Sequence, residues 1–200
     1  MISIGFLLID GFALMSYSSV IEPLRAANLL SEKELYKIAN FSPNGNAKSS
    51  SDAIINTQII GSEKHKLDIV IVCAGGDPFL FNNIKVFDWL RKKSREGITI
   101  GGVSGGPVIL AKAGLMDGKR MTLHWEHTDT FHEIWPTILL EKSLFVIDRK
   151  RITCAGGIAP LDLMYTLITN HYGEKYNPFF KCNPDNLNVI PGGENSNLSN

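Results

Sequence analysis

Short, unbroken apolar runs recur along the chain, each stopped by a glycine or a polar turn. Ile2 to Ile9 is closed by Asp10-Gly11, Leu67 to Cys73 by Ala74-Gly75-Gly76, and Ile98 to Val103 by Ser104-Gly105-Gly106. Weaker runs lie at Tyr36 to Phe41, Thr57 to Ile60, Leu144 to Ile147 and Ile152 to Cys154. Runs that are apolar at successive positions belong to parallel strands covered on both faces. Helical patterns fill the gaps: Ser19 to Leu30, Lys85 to Arg95, Pro107 to Ala113, His127 to Trp135 and Leu161 to His171. This alternation predicts an α/β fold, a doubly wound, mostly parallel sheet with helices on both faces. Sites in such sheets lie beyond the carboxyl ends of the strands. That rule singles out Asp10-Gly11, Gly75-Gly76 and Ser104-Gly105. The polar stretch Ser42 to Ala53 reads as a loop. From Asn177 onward Asn, Pro, Gly and Ser dominate without periodicity. One domain over residues 1–175 is expected, followed by a linker or poorly ordered tail over 176–200.

Composition narrows the function classes. Hydrophobic residues at 44% and charged residues at 20% fit a soluble globular domain large enough for its own core. Lys plus Arg and Asp plus Glu number 20 each, so the basic excess of a nucleic-acid-binding domain is missing. Any DNA contact is expected from outside these residues. The N-terminal run lacks the flank and cleavage site of a signal peptide and is too short to span a membrane. Cys73 and Cys154 lie in apolar runs, and with Cys182 they show no metal spacing, so reduced thiols in a cytoplasmic protein are expected. His124, Glu126 and His127 lack the spacing of a helical zinc site. Neither metal nor cofactor is expected.

Ser104 stands between a buried strand and a helix beginning near Pro107. Such a turn presents a side chain above the sheet as a nucleophile elbow, with the amides from Gly105 onward facing an oxyanion or a ligand carboxylate. The competing reading is that Ser104 caps the helix. Gly75 and Gly76 permit close backbone approach and would supply a second donor; otherwise they are an ordinary turn. Glu22 either faces this site or closes a capping box with Ser19, an account that Pro23 complicates. His124 is a base or hydrogen-bonding partner at neutral pH, or a structural histidine.

Several segments together resemble a known family. Ile4-Gly-Phe-Leu-Leu-Ile-Asp-Gly-Phe12, Glu22-Pro-Leu-Arg-Ala-Ala-Asn28 and Gly101-Gly-Val-Ser-Gly-Gly-Pro-Val-Ile-Leu-Ala-Lys-Ala-Gly-Leu-Met-Asp-Gly118 are similar to the ThiJ/PfpI (class I glutamine-amidotransferase-like) superfamily. Thr122-Leu-His-Trp-Glu126 and Ile152-Thr-Cys-Ala-Gly-Gly-Ile-Ala-Pro-Leu-Asp-Leu-Met164 continue the match. More narrowly, the chain resembles the amidase-like N-terminal domain of AraC-type transcriptional regulators, a group that includes sensors of arginine, glycine betaine and carnitine.

The resemblance implies a flavodoxin-like fold, a homodimer, and DNA binding through a C-terminal helix-turn-helix domain absent from this chain. Family enzymes place a cysteine where Ser104 stands, a glutamate at Glu22 and a histidine at His124. Serine needs a base that cysteine does not, so the substitution points to a pocket kept for a small-molecule effector. An amino-acid-like or betaine-like ligand is expected over Ser104, Gly105, Gly75 and Gly76, close to Asp10 and His124. Glu22 would meet its ammonium group, and Trp125 or Phe12 would add cation–π contact. The alternative is a stand-alone hydrolase, amidase or hydratase with Ser104 as nucleophile and His124 or Glu22 as base.

Overall fold

The computed structural model describes residues 1–178. In chain order the elements are β1 (Ile2–Leu8), α1 (Leu14–Ser31), β2 (Tyr36–Ser42), β3 (Asn46–Lys48), β4 (Ile54–Asn56), β5 (Gln58–Ile59), β6 (Ile69–Ala74), α2 (Ile84–Arg95), β7 (Thr99–Ser104), α3 (Gly106–Lys112), β8 (Arg120–Met121), α4 (Thr128–Ile134), β9 (Leu139–Leu140), β10 (Phe145–Asp148), β11 (Arg151–Cys154) and α5 (Ala159–Tyr172). Seven strands form one sheet in the order β10-β11-β7-β6-β1-β2-β5, parallel throughout except where β10 meets β11. This is the flavodoxin-like, mostly parallel α/β architecture that the apolar runs predict.

The two-sided apolar pattern has a direct structural meaning. Ile4, Phe6 and Leu8 of β1 join Ile69, Ile71 and Cys73 of β6 in a core shared with α1 and α5. The alternate residues Leu7, Ile9, Val70 and Val72 pack with α2 and α3 on the opposite face. Each strand thus buries successive side chains in two separate cores.

Three local expectations are corrected. Helix α1 begins at Leu14, ahead of Ser19, and Ala13 caps it with no side-chain hydrogen bond. Its first turn is fixed by packing, since the Tyr17 ring lies edge-on to Phe6 at 6.0 Å and to Phe12 at 5.4 Å. Ser19 is consequently buried within the helix, and no capping box forms. Part of the loop predicted over Ser42 to Ala53 is a hairpin strand, β3 pairing antiparallel with β4. Side chains hold it: Ser49 Oγ accepts from the Ala53 amide, and the Asp10 carboxylate accepts from the Lys48 amide at 2.9 Å. Finally, packing continues past residue 175. Asn177 is fully buried and its amide donates to the Tyr165 carbonyl at 3.0 Å and to Thr169 Oγ1 at 2.9 Å. The rest of the expected tail, from residue 179, lies outside the described residues, as does Cys182.

Helix α3 lies unusually close to the sheet. A Cβ on Gly106 would come within 2.2 Å of the Val72 carbonyl oxygen, so only glycine lets its backbone rest on β6. Register Leu8↔Cys73 and Ala74↔Ser104 then brings the ends of β1, β6 and β7 level with one another.

Candidate functional site

Ser104 ends β7 with φ at +58°, in the left-handed region. For a residue with a Cβ this costs about 1–2 kcal/mol, a strain that strand-to-helix elbows carry. The cap of α3 is Gly105, without a side-chain hydrogen bond, so Ser104 does not act as the helix cap. Gly156 packs directly on it, and a Cβ there would stand 2.9 Å from the Ser104 Cα.

Above this elbow lies a cavity of about 260 Å³. Gly11 and Ala13 reach it from the β1–α1 turn, and Met15 and Ser16 from the first turn of α1. Gly75 and Gly76 contribute from the end of β6, Ser50 from the hairpin, and Gly157 from the turn before α5. The short 3-10 turn Trp125–His127 and the residue before it supply His124, Glu126 and His127. The Gly157 amide donates to Ser16 Oγ at 2.9 Å and ties two of these walls together.

Of the residues picked out by sequence, Gly75, Gly76, Ser104 and His124 line this cavity. Others stand apart for identifiable reasons. Phe12 is completely buried in the α1-side core. Asp10 faces the neighbouring clefts, its carboxylate engaged by the Lys48 amide. Glu22 is 56% exposed on α1, accepts from Arg25 Nε at 2.7 Å and does not reach the cavity. Trp125 follows His124 directly, yet it borders a different cavity beside Leu123 and Leu144. Wall residues that sequence reading did not assign to the site, among them Ser16, Ser50, Glu126 and Gly157, come from turns whose direction no periodicity reveals.

The hydrogen bonding limits the chemistry. Gly105, the presumed oxyanion donor, gives its amide to the Ala74 carbonyl at 3.1 Å, one rung past the end of β7. The amides of Gly75 and Gly76 make no hydrogen bond among the described residues. The Ser104 hydroxyl makes none either. His124 Nδ1 instead stands 3.4 Å from Glu126 Oε2. The neighbouring His127 lies edge-on to Phe79 at 5.6 Å. Burial lowers its pKa, with a further contribution from His124 that Glu126 and Asp77 partly oppose. The cavity therefore offers two backbone donors and a serine hydroxyl that have no partner among the described residues, together with an acceptor carboxylate. Cys73 and Cys154 offer no substitute nucleophile, since burial pushes both thiols upward, that of Cys154 to about 12.

The HTH-type transcriptional regulator GlxA of Rhizobium meliloti is 43% identical over 175 residues, covering 86% of this chain and 54% of the regulator. The HTH-type transcriptional regulator CdhR of Pseudomonas aeruginosa is 41% identical over 169 residues, 84% of this chain and 50% of its own. The chain thus spans about half the length of the curated relatives it matches. Isonitrile hydratase of Pseudomonas putida is 31% identical over half of the chain. In structure, an AraC family transcriptional regulator from Pseudomonas putida superposes with a TM-score of 0.79 at 22% identity, over 88% of this chain and 95% of that one. Drosophila melanogaster DJ-1beta superposes at 0.71 and 20% identity, over 88% and 94%. Residues 2–170 match the DJ-1/PfpI family along their whole length, and the chain belongs to that family.

Proposed function

We propose that this chain is the small-molecule-sensing domain of an AraC-type transcriptional regulator, and that its effector occupies the cavity over Ser104. The observation that carries this reading is Ser104 itself, held in elbow geometry with a hydroxyl that makes no hydrogen bond among the described residues, while the adjacent Gly105 amide is engaged by Ala74. Such an arrangement favours binding over turnover. The regulators at 39–43% identity support the same assignment.

The cavity volume of about 260 Å³ suits a ligand of amino-acid size. Its carboxylate meets the unengaged amides of Gly75 and Gly76. Its ammonium or quaternary amine meets Glu126, which takes the role expected of Glu22. The reading includes a homodimer in the cytoplasm, with DNA reached through a helix-turn-helix unit outside these 200 residues.

Thermal shift and calorimetry with a panel of amino acids, betaines and carnitine-like compounds test it. At least one is expected to raise the melting temperature of the chain, with Glu126→Gln removing the effect and Ser104→Ala keeping it. If no member of the panel binds at millimolar concentration, the ligand class is wrong. The alternative, a hydrolase with Ser104 as nucleophile, would show turnover of an ester or amide that Ser104→Ala abolishes.

A further inference from the structure

A second cavity lies behind the wall that carries His124. Its volume is about 400 Å³, larger than the effector cavity, and within the usual range of about 300–1,000 Å³ for small-molecule sites. Consecutive residues of one segment face the two sites: His124 and Glu126 line the first, while Leu123 and Trp125 line the second.

The second cavity exists because β8 and β9 pair over only two residues each and the chain then arcs outward before β10. That arc is pinned on several sides. The Glu141 amide donates to the Met121 carbonyl at 2.8 Å, Thr122 Oγ1 donates to the Ser143 carbonyl at 2.7 Å, and the Ala155 amide donates to the Leu144 carbonyl at 2.9 Å. The walls are therefore formed before any ligand arrives, which limits the ordering entropy that binding would cost.

The lining has a polarity. Leu123, Leu140, Leu144 and Ala155 make an apolar interior, beside which the Trp125 ring stands 76% exposed and the Leu144 side chain 55% exposed. Large apolar side chains held open beside a concave surface mark binding sites. At the rim, Lys142 makes no hydrogen bond or ion pair among the described residues. The acidic rim residue, Glu141, already accepts from Arg120 at 3.1 Å. The unsatisfied charge at this cavity is thus a cation.

We infer that the cavity bordered by Trp125, Leu144 and Lys142 is a second ligand site, for a small amphipathic anion with an aromatic or short aliphatic body and a carboxylate head. The body fills the leucine-lined interior against the Trp125 ring, and the head meets Lys142. This site is separate from the effector cavity, and its existence does not depend on what binds there.

Phenylacetate and its cationic counterpart phenethylamine are suitable probes, titrated into the 200-residue chain by calorimetry and by fluorescence quenching of Trp125. Phenylacetate is expected to bind and phenethylamine to bind more weakly. Lys142→Glu should weaken phenylacetate by roughly two- to fivefold and reverse the preference, the size expected for an exposed charge pair. Trp125→Ala and Leu144→Asp should each cost about tenfold or more, because they remove the apolar wall. All three positions are exposed, so unchanged melting temperatures will separate lost binding from lost fold. Failure of phenylacetate to bind at millimolar concentration overturns the inference. So does binding that survives both Trp125→Ala and Lys142→Glu, which would place the probe elsewhere.

Discussion

Gly106→Ala tests the contact on which the elbow rests. The added methyl would stand 2.2 Å from the Val72 carbonyl oxygen, 3.1 Å from its carbon and 3.5 Å from the Val72 Cβ. Relief requires α3 and β6 to separate by about 1 Å, since carbon atoms pack at about 3.5 Å and the nearest obstacle is backbone. Val72 is completely buried in the middle of β6, so nothing local can rotate away. Overpacking of this kind costs at least about 3 kcal/mol, which lowers the melting temperature of a domain this size by roughly 6–12 °C. Gly118→Ala is the control. Its φ is +61° but nothing lies within 4 Å of the added methyl, so only the backbone strain of about 1 kcal/mol applies. Differential scanning calorimetry of both variants at one pH decides the matter. If Gly106→Ala melts as high as Gly118→Ala, the close approach of α3 to β6 is wrong, and with it the placement of Ser104 beside Gly75.

Two further outcomes follow from the charges. Glu22→Gln should leave effector affinity unchanged and alter stability by less than about 0.5 kcal/mol, because the side chain is 56% exposed and its ion pair with Arg25 lies at the surface. A loss of affinity in Glu22→Gln, measured by calorimetry, would return Glu22 to the site. Stability should also fall in mild acid. Burial lowers the pKa of His127 and of His171, whose Nδ1 shares a hydrogen bond with Tyr36 at 3.0 Å while Tyr172 packs beside them. Both histidines are kept neutral by folding, so their contribution is fully present above the unfolded value of about 6.5 and is lost as pH drops through the folded values. Urea midpoints across that window should decline, less steeply in His171→Gln, and a flat profile would contradict the burial of both rings.

The sequence exposes the sheet and part of the candidate cavity, for physical reasons that differ by residue. Strands β1, β6 and β7 are legible almost to the residue because burial on two faces forces successive apolar positions. Ser104, Gly75, Gly76 and His124 are legible because strand ends and turns follow from those strands. Side-chain direction is a different matter. Ser19-Val-Ile-Glu22 mimics a capping box, and only the packing of Tyr17 on Phe6 and Phe12 shows that the helix began a turn earlier. Glu22 then rotates to solvent. Trp125 and His124 are adjacent in sequence, but the 3-10 turn sends them to separate cavities. Hairpin β3–β4 has no apolar period to announce it, since Ser49 and Asp10 hold its backbone through their side chains.

Restoring the family's nucleophile is not expected to restore catalysis. Ser104→Cys supplies a thiol, but hydrolysis also needs donors for the oxyanion, and removing one such donor typically costs a hundredfold or more. Here the Gly105 amide is spent on Ala74, because the β6–β7 ladder continues one rung beyond the last strand residue. The new thiol would also start without a hydrogen-bonded base: the hydroxyl it replaces makes no hydrogen bond among the described residues, and His124 Nδ1 stands 3.4 Å from Glu126 Oε2. Its reactivity with iodoacetamide, measured against pH and corrected for the parent chain's own cysteines, should therefore follow an ordinary thiol near 8.5. Ester turnover should match that of the unaltered protein. A thiol titrating well below that value, with turnover at least about a hundredfold above the parent's, would mean that the elbow opens in solution and frees the Gly105 amide.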